Sequence, residues 1–380
     1  MIETFQLLTL YVLSVVVFCL VAGRFPLLAP EAQHRVSSLD GLRGVLATAV
    51  VVHHFAITFM WHSTGTWQVT DSRVINNMGA VPVSLFFMIT GYLFTQKVIR
   101  GQPKWGPLLS SRLRRIFPMY IASVLLVAAI SFYQTRGELS PLLDNFAAFG
   151  SWLIFLGGPI NGFPDSKLIN ASVQWTLMYE ALFYLSLPLI YCLFRRRLPI
   201  LALLISIGAI AILWSEYHHV FHKRYIKLFL VGMAVAFFEP RLRKTSLSFS
   251  NLWCSLIAAG ILLASLKMRS YSTGQMLILG IPFGLFVLGN NLHGLLEHKG
   301  LKVLGEASYS IYLLHGIVIY SLFSLLKIYN FTEYTPVGYA WYLPLIILAV
   351  SALSVLTYWS IERPFIISPL KRLDRAVEKI

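Results

Sequence analysis

The chain has 380 residues, of which 57% are hydrophobic and only 12% charged, with a mean hydropathy of +0.70 and a formal net charge of +15. A soluble domain carries about twice that charged fraction, so the composition excludes an ordinary soluble protein and predicts an all-α polytopic membrane protein. Cys19, Cys192 and Cys254 fall in apolar stretches without metal-ligand spacing, which argues against both a disulfide framework and a metal site.

Crossing a bilayer as a helix takes about 20 apolar residues. Read in chain order, segments of that kind lie near 4–22, 41–61, 81–97, 115–134, 174–194, 198–215, 225–239, 251–267, 274–291, 307–327 and 340–361, which predicts about eleven transmembrane helices. The first has Glu3 and no basic residue ahead of a long apolar run, so it reads as a membrane helix and not as a signal peptide. Residues 146–160 are too short to cross and read as interfacial or re-entrant. With the N-terminus outside and eleven alternating spans, 22 of the 31 Lys and Arg fall on the inner side. This positive-inside bias accounts for most of the net charge and removes the case for nucleic acid as a partner. The C-terminus is then cytoplasmic, and 367–380 is expected as a basic amphipathic tail on the inner surface.

Arg43 and His54 lie eleven residues apart in an apolar segment that opens Leu39-Asp40-Gly41-Leu42-Arg43-Gly44. Eleven residues turn a helix by about 1100° and rise roughly 16 Å, so both side chains share one face. That puts a permanent cation at one membrane edge and an imidazole near mid-bilayer, where ionisable groups usually mark a pathway or a reacting site. The bland readings are a snorkelling anchor for Arg43 and a helix-packing hydrogen bond for His54. His53 points about 100° away and is the weaker candidate.

Further along, Lys104, Arg112, Arg114 and Arg115 form a basic loop in which Arg112 and Arg115, at i,i+3, face one way. Guanidinium forks suit phosphate groups, although a plain cytoplasmic basic loop has the same composition. Glu180 is placed at a depth similar to that of His54, where a carboxylate can hold the tautomer of an imidazole. Ser308, Tyr312 and His315 share one stripe by i,i+4,i+7 spacing, and such polar stripes are more often packing glue than sites. Glu362 stands at the inner edge of the last span, within reach of a basic partner. The outer run His218-His219…His222-Lys223-Arg224 gives little argument for a metal or for a specific ligand.

Taken together, these signals resemble the membrane proteins of acyltransferase family 3. The Leu-Asp-Gly-Leu-Arg-Gly opening with Arg43 and His54 resembles the family's first core helix, and Arg112-Leu113-Arg114-Arg115 its basic loop. Trp175-Thr176-Leu177 with Glu180 and Phe183-Tyr184, the segment Ser308 to His315, and Glu362-Arg363-Pro364 resemble later signatures. The resemblance implies a ten-helix acyltransferase domain over 38–366, preceded by one extra helix and linker over 1–37. It also implies transfer of an acyl group, commonly acetyl, from cytoplasmic acyl-CoA as donor to a hydroxyl of an envelope carbohydrate, in a bacterial inner membrane. Arg43, Lys104, Arg112, Arg114 and Arg115 would then bind the donor, and His54, oriented by Glu180, would act as base, with no permanently bound cofactor. Arg43 serves either as a donor ligand or as a support. No Gly-Asp-Ser block of a fused SGNH hydrolase-like domain occurs, so the final transfer is expected in the membrane domain itself or through a separate extracytoplasmic partner. A transporter or flippase for a lipid-linked or anionic solute, or an acyltransferase with a lipid or small-molecule acceptor, would use the same intramembrane charges.

Overall fold

A computed structural model describes residues 2–25, 37–101, 103–136, 138–195, 200–217, 221–245, 248–333 and 335–366. The linker at 26–36, Arg196 and Arg197, His218 and His219, and the tail at 367–380 lie outside the described residues. Among those described there is no strand, only an isolated bridge between Ile160 and Phe163. The helices are α1 (Ile2–Ala22), α2 (Ser37–Thr64), α3 (Arg73–Arg100), α4 (Trp105–Gln134), α5 (Leu142–Leu153), α6 (Ser166–Ile169), α7 (Trp175–Arg195), α8 (Ile200–Tyr217), α9 (Ile226–Leu242), α10 (Leu252–Ser265), α11 (Thr273–Val287), α12 (Lys299–Glu306), α13 (Ser308–Tyr320), α14 (Pro336–Ala340), α15 (Leu343–Thr357) and α16 (Arg363–Ile366). Two π-turns, Ser321–Leu325 and Tyr358–Glu362, prolong α13 and α15.

Every one of the eleven expected segments contains a helix. Six stretches among the described residues are long and apolar enough to cross a membrane: Glu3–Ala22, Ser37–Thr64, Arg73–Arg100, Trp105–Gln134, Ser308–Leu325 and Pro336–Ile366. Helices α10 and α11 are apolar but shorter. The structure thus supports a multi-pass membrane protein, and the figure of eleven goes beyond these six. Residues 142–153 form α5, a helix of 12 residues. Its length of about 18 Å is too short to cross a core of about 30 Å. Its exposed Leu142, Leu143 and Phe146 contrast with Trp152, which is fully buried and donates to the Gly158 carbonyl (3.0 Å).

Apolar character on all sides sends a helix to the centre of a bundle. Helix α3 takes that place, with Leu85, Phe87 and Met88 fully buried, while α1 leaves Leu13, Val16, Val17 and Leu20 exposed as a lipid-facing stripe. The tightest crossings use glycine. Gly91 of α3 lies against the Phe229 carbonyl of α9, and Gly232 of α9 against the Met88 carbonyl of α3, with no room for a Cβ at either. Helix α12 seats on α2 in the same manner, Gly44 against Leu301 and Leu304 and Gly305 against the Asp40 backbone. Small residues let helix backbones approach closely where lipid supplies no hydrophobic drive. These crossings fix the rotation of α2, and with it the direction in which Arg43 and His54 point.

A methyl group added at Gly232 should force α3 and α9 apart, at a cost of about 1–3 kcal/mol. Gly260 of α10 has open space around its Cβ position. There Gly→Ala should be neutral or stabilising by up to about 1 kcal/mol. Thermal unfolding of the detergent-solubilised Gly232→Ala and Gly260→Ala variants checks this, and equal responses would refute the close-crossing account.

Candidate active site

Helices α2 and α13 build the axis of the site, and they touch at two levels. At the first, Arg43 Nη2 donates to Ser308 Oγ (3.0 Å) at the start of α13. At the second, His54 Nδ1 meets His315 Nε2 at 2.9 Å, with ring centroids 4.9 Å apart. Eleven residues on α2 rise roughly 16 Å and seven on α13 roughly 10 Å, a mismatch that the long arginine side chain takes up. His53 turns the other way, with its ring against Gly79 and its Nδ1 on the Ile75 carbonyl (3.2 Å).

The hydrogen bonds set the tautomers in sequence. His315 Nδ1 lies 3.0 Å from the Ile311 carbonyl, which can only accept, so that nitrogen carries the proton. A neutral His315 then presents Nε2 as an acceptor, and His54 Nδ1 must donate to it. The lone pair of His54 is thereby left on Nε2. His54 also lines a small chamber with Thr58, Trp61, Trp67, Ala171 and Tyr320, and the Trp67 ring stacks 6.3 Å from its own.

A separate cavity of about 130 Å³ lies on the Arg43 side of the dyad. Its walls include Arg43, Arg112, Arg115, Glu180, Ser308 and Tyr312, so six of the residues singled out in the sequence share one space. Three guanidiniums face one carboxyl there, and Arg112 sits over the Phe94 ring at 5.2 Å. Such an excess of fixed cations in a low-dielectric recess favours a polyanionic ligand. Tyr312 marks the approach to the dyad: its ring centroid is 6.1 Å from that of His315, and its hydroxyl pairs with Thr176 Oγ1 (2.9 Å).

Several expectations need correcting. The depth argument paired Glu180 with His54, but the group in contact with His54 is His315. Glu180 Oε1 accepts from Thr90 Oγ1 (3.2 Å) and Oε2 from the Tyr184 hydroxyl (3.1 Å). Equal depth constrains only one coordinate, and the rotation of α7 turns Glu180 into the arginine cavity. Lys104 and Arg114 do not line that cavity and stay exposed at the same end of the bundle, because i,i+3 periodicity turns only Arg112 and Arg115 inward. Glu362 is fully buried on the second π-turn and takes a hydrogen bond from Ser310 Oγ, and the charges of Arg115 and Arg43 act on its carboxyl, so the expected basic partner is Arg115. Its Oε2 and Arg115 Nη2 are buried without hydrogen-bond partners. No cluster of potential metal ligands occurs among the described residues. Tyr184, at i+4 from Glu180, was findable from helical spacing. Thr90 and Trp67 carried no signal of their own.

Nitrogen-15 NMR of histidine-labelled protein in nanodiscs should find His54 and His315 each with its proton on Nδ1. A His54 ring protonated on Nε2 instead would reverse the assignment of the basic nitrogen.

A family model described as an acyltransferase domain matches residues 36–359. The acyltransferase MdmB of Streptomyces mycarofaciens is 27% identical over 177 residues, 44% of this chain and 42% of that protein. The peptidoglycan O-acetyltransferase OatA of Listeria monocytogenes is 24% identical over 325 residues, 75% of this chain and 49% of that protein. YrhL of Bacillus subtilis is 26% identical over 403 aligned positions, 91% of this chain and 58% of that protein. The chain thus spans about half the length of the curated relatives it matches. No solved structure matches. With the family model covering most of its length, and with Arg43, His54, Arg112 and Arg115 gathered around one cavity and one histidine pair, the chain belongs to acyltransferase family 3.

Proposed function

We propose that the chain is a membrane O-acyltransferase that moves an acyl group, most simply acetyl, from cytoplasmic acyl-CoA to a hydroxyl of an envelope carbohydrate. One observation carries this reading: Tyr312, beside His315, lines the arginine cavity, and His54 of the same histidine pair lines the small chamber. The basic end of the bundle is the cytoplasmic side, by the positive-inside rule, in a bacterial inner membrane with the N-terminus outside. The eleven-span topology belongs to this reading.

Arg43, Arg112 and Arg115 hold the CoA phosphates, since guanidinium forks match phosphate oxygens and stay charged. The narrow pantetheine arm enters the cavity and brings its thioester toward Tyr312 and the dyad. The acceptor hydroxyl approaches from the chamber side. His54 Nε2 removes its proton, the oxygen attacks the thioester carbonyl, and the C–S bond breaks to release CoA thiolate, which takes the proton back. His315 is a positioning residue that holds His54 Nδ1–H and steadies the imidazolium as it forms. An acyl group carried on His54 Nε2 between donor and acceptor uses the same atom and the same tautomer. Glu180, among three arginines, orders the cavity and limits its positive charge. Membership of the family favours this reading over transport of a lipid-linked or anionic solute.

Purified protein, radiolabelled acetyl-CoA and envelope glycan test the proposal. His54→Ala should lower transfer by about 10²–10⁴-fold, the usual contribution of a positioned general base. His315→Ala should cost less, and the double variant should be little worse than His54→Ala, because residues acting as a unit are non-additive. Undiminished transfer by His54→Ala would sink the catalytic assignment.

Donor binding gives an independent check. Arg112→Gln and Arg115→Gln should each weaken CoA binding about tenfold or more, as the loss of a charge-assisted hydrogen bond does. Arg114→Gln should change it by less than about twofold, the effect of an exposed charge. Calorimetric titration of the three variants with CoA measures this, and equal losses would remove the cavity assignment.

A further inference from the structure

A third cavity, of about 490 Å³, lies between the N-terminal half of α7 and the turn Lys223–Tyr225 that leads into α9. Its volume falls within the range of roughly 300–1,000 Å³ typical of small-molecule sites. The rings of Trp175, Tyr179 and Tyr225 line it, with Trp175 and Tyr225 centroids 4.8 Å apart. Lys167, Gln174 and His222 supply polar groups, and no acidic residue lines it. Gln174 is buried, and its Oε1 has no hydrogen-bond partner in the protein. Native proteins rarely leave a buried acceptor orphaned, so this one needs an explanation. The Tyr179 hydroxyl accepts from the His222 backbone N–H (2.7 Å), which pins the turn to α7 and holds the wall in place.

Aromatic faces set among amide, amine and imidazole groups match a ligand with apolar C–H faces and a polar rim, the surface that a pyranose ring presents. A headgroup phosphate would have Lys167 as its one permanent cation among the lining residues. The position supports the same match. One turn of chain divides this cavity from the His54 chamber: Lys167 and Ser172 face the cavity, and Leu168 and Ala171 face the chamber. Ala171 and Ser172 both have φ of 56°. Two successive left-handed non-glycine residues are retained only where the surroundings hold them.

We infer that this cavity binds a saccharide unit of the acceptor glycan, adjoining the unit whose hydroxyl reaches His54. The inference rests on the acyltransferase reading for its direction, and a binding experiment separates the two. The probe is a peptidoglycan-derived N-acetylhexosamine tetrasaccharide, titrated calorimetrically into the full chain in nanodiscs. Wild type should bind it, and Trp175→Ala and Gln174→Leu should each weaken binding roughly three- to tenfold, the loss expected for one aromatic contact or one hydrogen bond. CoA affinity, measured on the same samples, reports that the variants are folded. Absence of saccharide binding by wild type, unchanged affinity in both variants, or displacement of the probe by phosphatidylglycerol vesicles would overturn the inference, the last by making the cavity a lipid site. Saccharide binding through Trp175 without acyl transfer would overturn only the enzymatic reading. Acyl transfer with an unaltered KM for glycan in both variants would overturn only this site.

Discussion

The hydrogen bond between His54 and His315 is the contact on which the rest of the site depends. It joins α2 to α13 across 261 positions of sequence, deep in an apolar bundle where two imidazoles are stable only if their polar atoms find partners. Anchored by the Ile311 carbonyl, it fixes a proton on each ring and leaves one lone pair, on His54 Nε2. A single backbone acceptor thus decides which nitrogen of His54 is left basic. Tyr312, beside His315, lines the arginine cavity, and His54 itself lines the chamber with Trp61 and Trp67.

Close helix crossings make that contact reproducible. Gly44 and Gly305 set α12 against α2, Gly91 and Gly232 set α3 against α9, and Gly316, next to His315, lies against the backbone of Asn170 and Ala171. Each removes a side chain that would otherwise push the backbones apart, so the helices have little freedom to rotate. Closely packed interiors transmit small displacements. An overpacking change far from His54 therefore reaches the dyad through α2 or α13.

Charge is distributed with equal economy. The bundle sets three half-buried arginines and a half-buried glutamate around one recess, where a lone cation would be costly. Thr90 and Tyr184 satisfy Glu180, Ser308 engages Arg43, and Phe94 supports Arg112. The exposed Lys104 and Arg114 add to the positive field at that end of the bundle without lining the recess.

The sequence by itself determined what depends on local periodicity and composition. Hydropathy located a helix in every expected segment, and i,i+3 spacing placed Arg112 and Arg115 on one face. The eleven-residue interval likewise predicted that Arg43 and His54 would serve one axis. Tertiary structure alone decided that His315 and not Glu180 touches His54, that Lys104 and Arg114 stay out of the cavity, and that Trp67 and Thr90 belong to the site. The physical reason is that backbone geometry fixes a residue's depth and face within its own helix. Which face meets which neighbour depends on the rotation and crossing of separate helices, and those are set by glycine contacts between residues far apart in the chain.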